Sequence, residues 1–600
     1  MAATETQILE LDGRTFYYSF LAGAQSLIRH QDELNKINVF PVPDADTGTN
    51  LSSTIRSIIE NVKPTKSFKQ TVDAIAEAAL VGARGNSGVI FAQFFYGLSS
   101  ESGTSGKVDM HRFAETVKKS VSHVYEAISN PVEGTMLTVI REWAEFVYEN
   151  KNRTNDFIRM FHEAFDAASI SLLSTKEKLK ALAKANVVDA GAKGFVVFLE
   201  GIIDFLKNRN LRKIYSEQIR ISTFENAAVI THDDFNYRYC TEAIIRGEHI
   251  NGSKLREILN GYGDSVVVAG SGSMNRIHVH TDDPSGLFYD LRKFGTLSYQ
   301  KADDMQKQYE IAHKRKFPIA VVTDSTCDLP QEFLDKYQVH MAHLNLSFGE
   351  SHYLDKLTVQ PSQFYDLTDE YPNFPKTSQP NEHTFINLYS HLASHYNSVI
   401  AIHLTGKFSG TLRNSQSAAE KVAQETGKKI SVIDSKNLSG GLGLIVARAA
   451  RAVEAGESHD AIVRATKKWI ANTRIFVSVK DFKYMVRGGR VSPMKGKIAH
   501  LMNIKPIISM DASGSSVLLD KAFSQQGNIN RVLKHIRKIN DVQPVKNFIL
   551  LHARNEEAAG QVGKKLHEIT GVKPMASVDI SPVVGLNAGR GAVAVALDYD

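Results

Sequence analysis

Cysteine is scarce in this chain: Cys240 and Cys327 are the only two in 600 residues. Two thiols cannot build a disulfide framework, which points to a reducing compartment. Long apolar runs are missing as well. The most apolar stretch, 195–206, is broken by Glu200 and Asp204 and is too short to cross a bilayer, so an integral membrane protein is not expected. The first residues, MAATETQILELDG, lack the basic start and apolar core of a secretion signal, and the expected location is cytoplasmic. Charge of one sign is not in excess: 71 Lys and Arg stand against 65 Asp and Glu, with no basic block, so nucleic acid is not an expected partner. The absence of HRD and DFG motifs excludes a protein kinase. SGTSGKV at 102–108 has neither the length nor the hydroxyl of a Walker A loop, and GSGSMN at 270–275 lacks the third glycine of a dinucleotide site.

What is present describes a folded, multidomain protein. The hydrophobic fraction is 42% and the charged fraction 23%, and roughly 150 residues per domain predicts about four units. Residues 8–207 read as helix, with apolar residues at three- and four-residue spacing in 16–29, 68–80, 109–128 and 156–173. The texture then changes. Strand patterns at 227–230, 238–245, 265–269 and 276–281, with a helix at 253–262, predict a small α+β domain over 222–300. Residues 301–316 (KADDMQKQYEIAHKRK) read as a charged linker, helical in part. From 317 to 600 strands alternate with helices, at 319–323, 398–404, 429–433, 475–479 and 547–552, which predicts α/β architecture with a largely parallel sheet and a second lobe.

Four loops between the first helices carry chemistry. In 38–50 (NVFPVPDADTGTN) two prolines stiffen the chain, and Asp44 and Asp46 could converge on a hard cation, with Thr47, Thr49 and Asn50 adding neutral groups. The other reading is a solvated turn that caps the next helix. ARGNSGV at 83–89 offers Gly85, Asn86, Ser87 and Gly88 as a phosphate cradle at a helix start. VEGTMLT at 132–138 and VDAGAKG at 188–194 again place Gly, Thr and Asp before apolar helices. Each alone reads as a cap; together they suggest a site at one end of a bundle.

With these four loops, the first 200 residues resemble the nucleotide-binding L subunit of dihydroxyacetone kinase, and more closely the N-terminal domain of bacterial fatty acid kinases. The resemblance implies an all-α helical barrel that holds ATP through magnesium. It implies Asp44 and Asp46 as catalytic metal ligands and Asn38 as a third, where the dihydroxyacetone kinases have a further upstream acid and Val39 stands here. It implies Thr47, Thr49, Asn50, Gly85, Asn86, Ser87, Gly88, Thr135, Met136, Asp189 and Gly191 around the nucleotide. In the next domain His278 and His280 leave one face of a strand and Cys240 lies on another. These three are competent zinc ligands, and equally a packed core. YCTE and HVHTDDP resemble the fatty acid kinase middle domain, which favours structural zinc.

The last half combines IAVVTDSTCDLP at 319–330, PKTSQP at 375–380, FSGT at 408–411 and VRGGRV at 486–491, hydroxyls and guanidinium groups suited to a carboxylate or phosphate. Singly, the shorter ones are common turn fragments. In this order, with VIDS at 432–435 and SGGLG at 439–443, residues 319–600 resemble the DegV family of fatty-acid-binding proteins. The resemblance implies Thr377, Ser378 and Ser409 at the fatty acid carboxylate, with Arg490 adding charge. The family's terminal His-x-Gly-Pro-Gly is here Asn587-Ala588-Gly589-Arg590-Gly591. Two readings stand side by side: Arg590 or Arg490 supplies the missing charge while Asn587 orients the carboxylate, or Arg590 points to solvent and the carrier has lost affinity or changed ligand. Cys327 lacks a helper histidine and is expected to pack.

The reading that follows is a fused fatty acid kinase, forming acyl phosphate from ATP and a fatty acid held by the last domain, homodimeric and serving a downstream acyltransferase in phospholipid synthesis. Two alternatives stand beside it: a dihydroxyacetone-type small-ketone kinase, for which no ketone-binding domain is evident, and a non-enzymatic lipid sensor or carrier.

Overall fold

A computed structural model describes residues 7–40, 46–209, 211, 236–270, 272–371, 373–481, 483–488 and 504–599. The expected strand at 227–230, Asp44 and Arg490 lie outside these residues. The chain divides into two compact units, Met1–His313 and Lys314–Asp600.

The first unit opens with helices whose starts are written locally. Gly13–Arg29 (α1), Thr47–Asn61 (α2), Phe68–Gly82 (α3), Gly85–Glu101 (α4), Met110–Ala127 (α5), Met136–Glu149 (α6), Phe157–Lys178 (α7) and Ala190–Asn208 (α8) are the long ones. Asp12, Ser67, Asp109, Thr135, Asp156 and Asp189 each cap a helix by accepting a backbone N–H. From α2 to α8 each long helix packs against the next, and α8 returns to α1. The ring closes as a barrel. Its interior is filled by edge-to-face aromatics, including Phe20, Phe91, Phe95 and Phe198. The helical expectation and the α+β and α/β regions that follow are as the sequence indicates.

Four antiparallel strands complete this unit: Tyr239–Arg246 (β1), Gly263–Gly270 (β2), Met274–Thr281 (β3) and Thr296–Asp304 (β4), in the order β2-β3-β1-β4. Gly252–Tyr262 (α9) and Pro284–Leu291 (α10) connect them. The linker expected over 301–316 is a correction. Lys301–Asp304 pair with Tyr239–Glu242 as the end of β4, and Met305–His313 (α11) follows with Met305 and Ile311 buried. Their charged side chains look solvated in sequence, but alternate residues of a strand can be paired on one face. Nor does the sheet stand apart from the barrel. Ile128 forms a bridge with Val267, and Gly270 N–H donates to Gln93 Oε1 at 3.0 Å.

The second unit has two lobes. Ile319–Asp324 (β5), His340–Ala342 (β6), Ser398–His403 (β10) and Lys429–Asp434 (β11) form a parallel sheet in the order β11-β10-β5-β6, beside a small antiparallel sheet of Asn345–Phe348 (β7), Ser351–Leu354 (β8) and Lys376–Ser378 (β9). The other lobe holds Thr473–Ser478 (β12), Lys505–Met510 (β13), Ser516–Ala522 (β14), Val545–His552 (β15), Ala576–Asp579 (β16) and Val593–Tyr599 (β17), in the order β14-β13-β12-β17-β15-β16. Only the β15–β16 pair is parallel in that sheet. The parallel expectation therefore holds for the first lobe and is corrected for the second, where antiparallel hairpins such as β13–β14 replace helical crossovers. Pro361–Glu370 (α12), Thr411–Thr426 (α13), Ser439–Glu454 (α14) and Pro582–Ala588 (α15) carry the site residues or face them.

Candidate functional sites

In the first unit a cavity of about 240 Å³ opens at one end of the barrel. Thr47, Asn86, Ser87, Thr135, Met136, Asp189 and Gly191 line it, so the four loops picked out in the sequence do converge. Thr49, Asn50, Gly85 and Gly88 do not line it. They hold its frame. Asn35 accepts from Thr49 N–H and donates to its hydroxyl, each at 3.0 Å. Gly85 has φ +58°, and a Cβ there would lie 2.1 Å from Asn50 Nδ2; one at Gly88 would meet Thr54 Oγ1 at 2.4 Å. Glycine is required at both places because α4 starts against α2.

Asp189 is nine-tenths buried or more, and burial pushes its carboxyl up to about 6 against the pull of three backbone donors, Ala192, Met136 and Gly191. Those donors belong to the starts of α6 and α8. One carboxylate thus ties two helix N-termini together and sets the spacing of the Thr135–Met136 and Gly191 walls. Asn86 lines the cavity, and its Oδ1 is buried without a hydrogen-bond partner.

Two contributors carry no signal in the sequence. Phe40 lines the cavity, and so do Ser265, Val266 and Val267 of β2. The ladder slips between Asp264 and Val267, and Ser265 takes a left-handed φ of +56°. This bulge turns the strand into the barrel's mouth.

Asp46 ends the acidic loop immediately before α2 and makes no capping hydrogen bond. Its side chain does not line the cavity, although Thr47 next to it does, and its charge acts on both Cys240 and His278. Cys240, His278 and His280 bring ligand atoms within 4.8 Å of one another. His278 Nε2 is buried and has no partner. The Nδ1 atoms face carboxylates instead, His278 toward Glu242 at 3.6 Å and His280 toward Asp264 at 3.5 Å. Carboxylates behind two imidazoles are the outer partners that zinc-binding histidines use, and the donor set fits that ion. Asn38 is buried beside the end of the short helix Gln31–Lys36.

The second unit holds an apolar cavity of about 220 Å³ between its lobes. Thr377, Ser378, Ser409 and Asn587 line it, among Leu344, Phe408, Ile475 and Val477. Gln379 Oε1 accepts from Gly410 N–H at 3.2 Å, which joins the hydroxyls after β9 to those at the start of α13. Ser409 and Thr411 share a 2.8 Å hydrogen bond there. The N-terminus of α13 therefore adds its positive field to the hydroxyls, a setting for a carboxylate. Asn587 Oδ1 is buried and unpartnered, while its Nδ2 donates to Val583 O at 3.3 Å.

Arg590 does not hold the headgroup and takes the solvent-facing alternative. Its side chain is half exposed and Nη1 donates to Asp369 on α12 at 3.0 Å. Gly589 and Gly591 both have positive φ, and Gly591 is pinned to Ala553 O and Asn555 Nδ2, which swings Arg590 outward. Arg590→Ala should accordingly leave fatty acid affinity within about twofold, since an exposed ion pair contributes little. Titration of a fluorescent fatty acid checks this, and a tenfold loss would return Arg590 to the headgroup.

Buried charges fix the cavity's walls. Lys356 lies 2.5 Å from Asp328, which also accepts from Ser439 Oγ and Ser581 N–H. Asp355, pushed up to about 7 by burial, accepts from Ser325 Oγ and Val583 N–H. This network seats α15, the helix that presents Val583 and Asn587. Asp324, His403 and Ser415 reproduce a hydrolase-like relay at 3.1 and 2.9 Å, yet all three are wholly buried and the Tyr389 hydroxyl lies 2.5 Å from Ser415 Oγ. No substrate reaches that serine. Asp324 instead bonds Thr326 and Leu404, both in the cavity wall. Cys327 is fully buried and its thiol is pushed up to about 12 by that burial, so it packs, as expected.

These features define a fusion of a helical DAK2-type domain, a small α+β domain and a two-lobed DegV-type domain. Family models match each part: the DAK2 domain at residues 41–204, the middle domain of fatty-acid-kinase-like proteins at 236–312, and the DegV family at 318–600. An uncharacterized protein of Staphylococcus saprophyticus is 33% identical over 319 residues, covering 52% of this chain and 58% of its own length. One from Staphylococcus epidermidis is 32% identical over 320 residues, with the same coverage. The chain thus spans 58% of the length of these relatives. A solved DegV of Bacillus subtilis, described as a fatty acid binding protein, is 27% identical and covers 48% of this chain and 100% of its own, with a TM-score of 0.43. A DegV family protein of Thermus thermophilus is 24% identical, covering 47% and 100%, also at 0.43. Among the described residues no helix is long and apolar enough to cross a membrane.

Proposed function

We propose that the chain is a fused fatty acid kinase, in which the DegV-type domain holds a fatty acid and the DAK2-type domain phosphorylates its carboxylate. The observation that carries this reading is the coexistence, in one chain, of a cavity at converging helix N-termini that carries Thr47, Asn86, Ser87, Thr135 and Asp189, and an apolar cavity with hydroxyls at a helix N-terminus. The carboxylate oxygen would attack the γ-phosphorus of ATP as the bond to the β-phosphate oxygen breaks, giving acyl phosphate and ADP. A carboxylate of ordinary pKa, about 4, is already an anion at neutral pH, so no general base is required. The work of the protein is to position two anions and offset their charge.

The residues fit the groups such a reaction needs. Asp46, with Asp44 beside it in sequence, would hold magnesium, which supplies charge neutralisation at the phosphates. Asn86, Ser87 and Thr135 would donate to or accept from the nucleotide. Cys240, His278 and His280 would hold a structural zinc. The acyl chain explains the carrier: about 15 methylenes at roughly 0.8 kcal/mol each favour burial by on the order of 12 kcal/mol before costs, so the lipid is held rather than released to water. Linking carrier and kinase in one chain raises their effective concentration.

Fatty acid should stimulate ATP consumption, and hydroxylamine should trap the product as an acyl hydroxamate. Stimulation by dihydroxyacetone alone would favour a small-ketone kinase. Fatty acid binding with no stimulation would leave a carrier.

A further inference from the structure

We propose that Glu242, on the middle sheet, is a positioning residue for the phosphate turn of the barrel: its carboxylate takes the Gly85 N–H and fixes the backbone where α4 begins. The inference rests on the nucleotide reading of that cavity. Gly85 N–H donates to Glu242 Oε1 at 2.7 Å, both groups being buried. The other oxygen, Oε2, receives Arg276 Nη2 at 2.6 Å. Arg276 is itself buried and donates through Nη1 to Val81 O at 2.7 Å, near the end of α3. One ion pair from β1 and β3 therefore grips both sides of the turn between α3 and α4.

The buried Arg276 guanidinium pairs with this carboxylate, so the acceptor that Gly85 meets is charge-assisted. An ionised acceptor on the first amide of a helix is a strong anchor. It also removes Gly85 from the donors open to phosphate. Those left are the following amides, with the Asn86 and Ser87 side chains that line the cavity. Gly85 sits at φ +58°, open to glycine, and the turn's two amides are taken from different sides: Arg84 N–H by Thr54 Oγ1 of the barrel at 3.3 Å and Gly85 N–H by Glu242 of the sheet. The same carboxylate faces His278 Nδ1, so the anchor and the candidate zinc cluster share one residue.

The test uses two double variants of the full chain. Glu242→Gln with Arg276→Gln keeps an oxygen for Gly85 and an amide pair behind it. Glu242→Met with Arg276→Met keeps the volume, leaves no buried charge unpaired, and removes the acceptor; such replacements of buried ion pairs are often tolerated. The methionine pair should speed amide exchange at Gly85 without nucleotide and raise the KM for ATP about tenfold or more. The glutamine pair should stay within about threefold of the parent in both. A purely structural role predicts that the variants fail or succeed together, and that result would overturn the proposal. So would a defect in the methionine pair that added zinc restores, since it would assign the effect to the cluster. If the methionine pair does not fold, rapid exchange at Gly85 in the glutamine pair overturns the proposal by itself. Exchange is read without ATP, so it stands or falls separately from the kinase assignment.

Discussion

Asp46→Ala should lower fatty-acid-stimulated ATP consumption by about three orders of magnitude and leave fatty acid affinity within about twofold. The carboxylate stands at the N-terminus of α2 without capping it, so helix formation does not employ it. Its neighbour Thr47 lines the cavity at the end of the barrel, and its charge acts on His278 of the middle sheet. A group that neutralises phosphate charge acts mostly in the transition state, and losing one such group costs roughly a hundred- to a thousandfold. Asp46→Asn preserves shape and hydrogen bonding but not charge, and should be nearly as inactive. The second unit is a separate compact body, so its ligand affinity should not respond to the substitution, and folding of the barrel itself is checked by its helical circular dichroism and melting temperature. Wild-type turnover in the Ala variant would remove the kinase assignment. Substantial turnover in the Asn variant alone would make Asp46 a positioning group rather than a metal ligand.

The barrel's functional loops are legible because their signals are local. Thr135 and Asp189 are capping residues in front of apolar helices, and capping is decided within three or four residues of chain. That makes the bland and the functional readings of these loops compatible. Asp189 caps α8 and closes the cavity with the same oxygen atoms. The alternation of strand and helix after residue 317 is legible for a similar reason, since each period is contained in its own segment. What stays hidden depends on partners far away in the chain. Glu242 meets Gly85 across 157 residues, and no periodicity in YCTE announces it. The bulge at Ser265 is a left-handed residue that its sequence does not require. Arg590 misleads because charge is visible in sequence while direction is not: the two flanking glycines permit inward and outward turns, and the anchor at Ala553 and the Asp369 carboxylate select the outward one. Residues 301–304 mislead because a charged strand whose neighbours supply opposite charges looks like a linker. Lys301 is only partly exposed, and Asp303 and Glu242 hold it charged against that burial.

Zinc should raise the melting temperature of the chain's first unit, and Cys240→Ser should abolish the increase. Three donors within 4.8 Å span β1 and β3, so a bound ion would cross-link two strands that also carry Glu242 and Arg276. Binding to the native state alone stabilises by about 4 kcal/mol at a free concentration a thousand times the Kd, which for a unit of this size corresponds to a shift of roughly 6 °C. Without the ion the same cluster is a liability. His278 Nε2 is buried with no partner, and burial holds the Cys240 thiol neutral. The serine variant keeps the volume but offers a far poorer ligand, so it should resemble the zinc-free parent and show no response to added metal. Metal analysis of freshly purified protein should find about one zinc per chain. A parent protein with no zinc, and with a melting temperature unmoved by adding it, would make the cluster a packed trio of side chains. In that event the carboxylates behind the imidazoles, Glu242 and Asp264, would face the histidines without serving a metal, and Glu242 would still tie the middle sheet to Gly85 through the hydrogen bond that needs no ion.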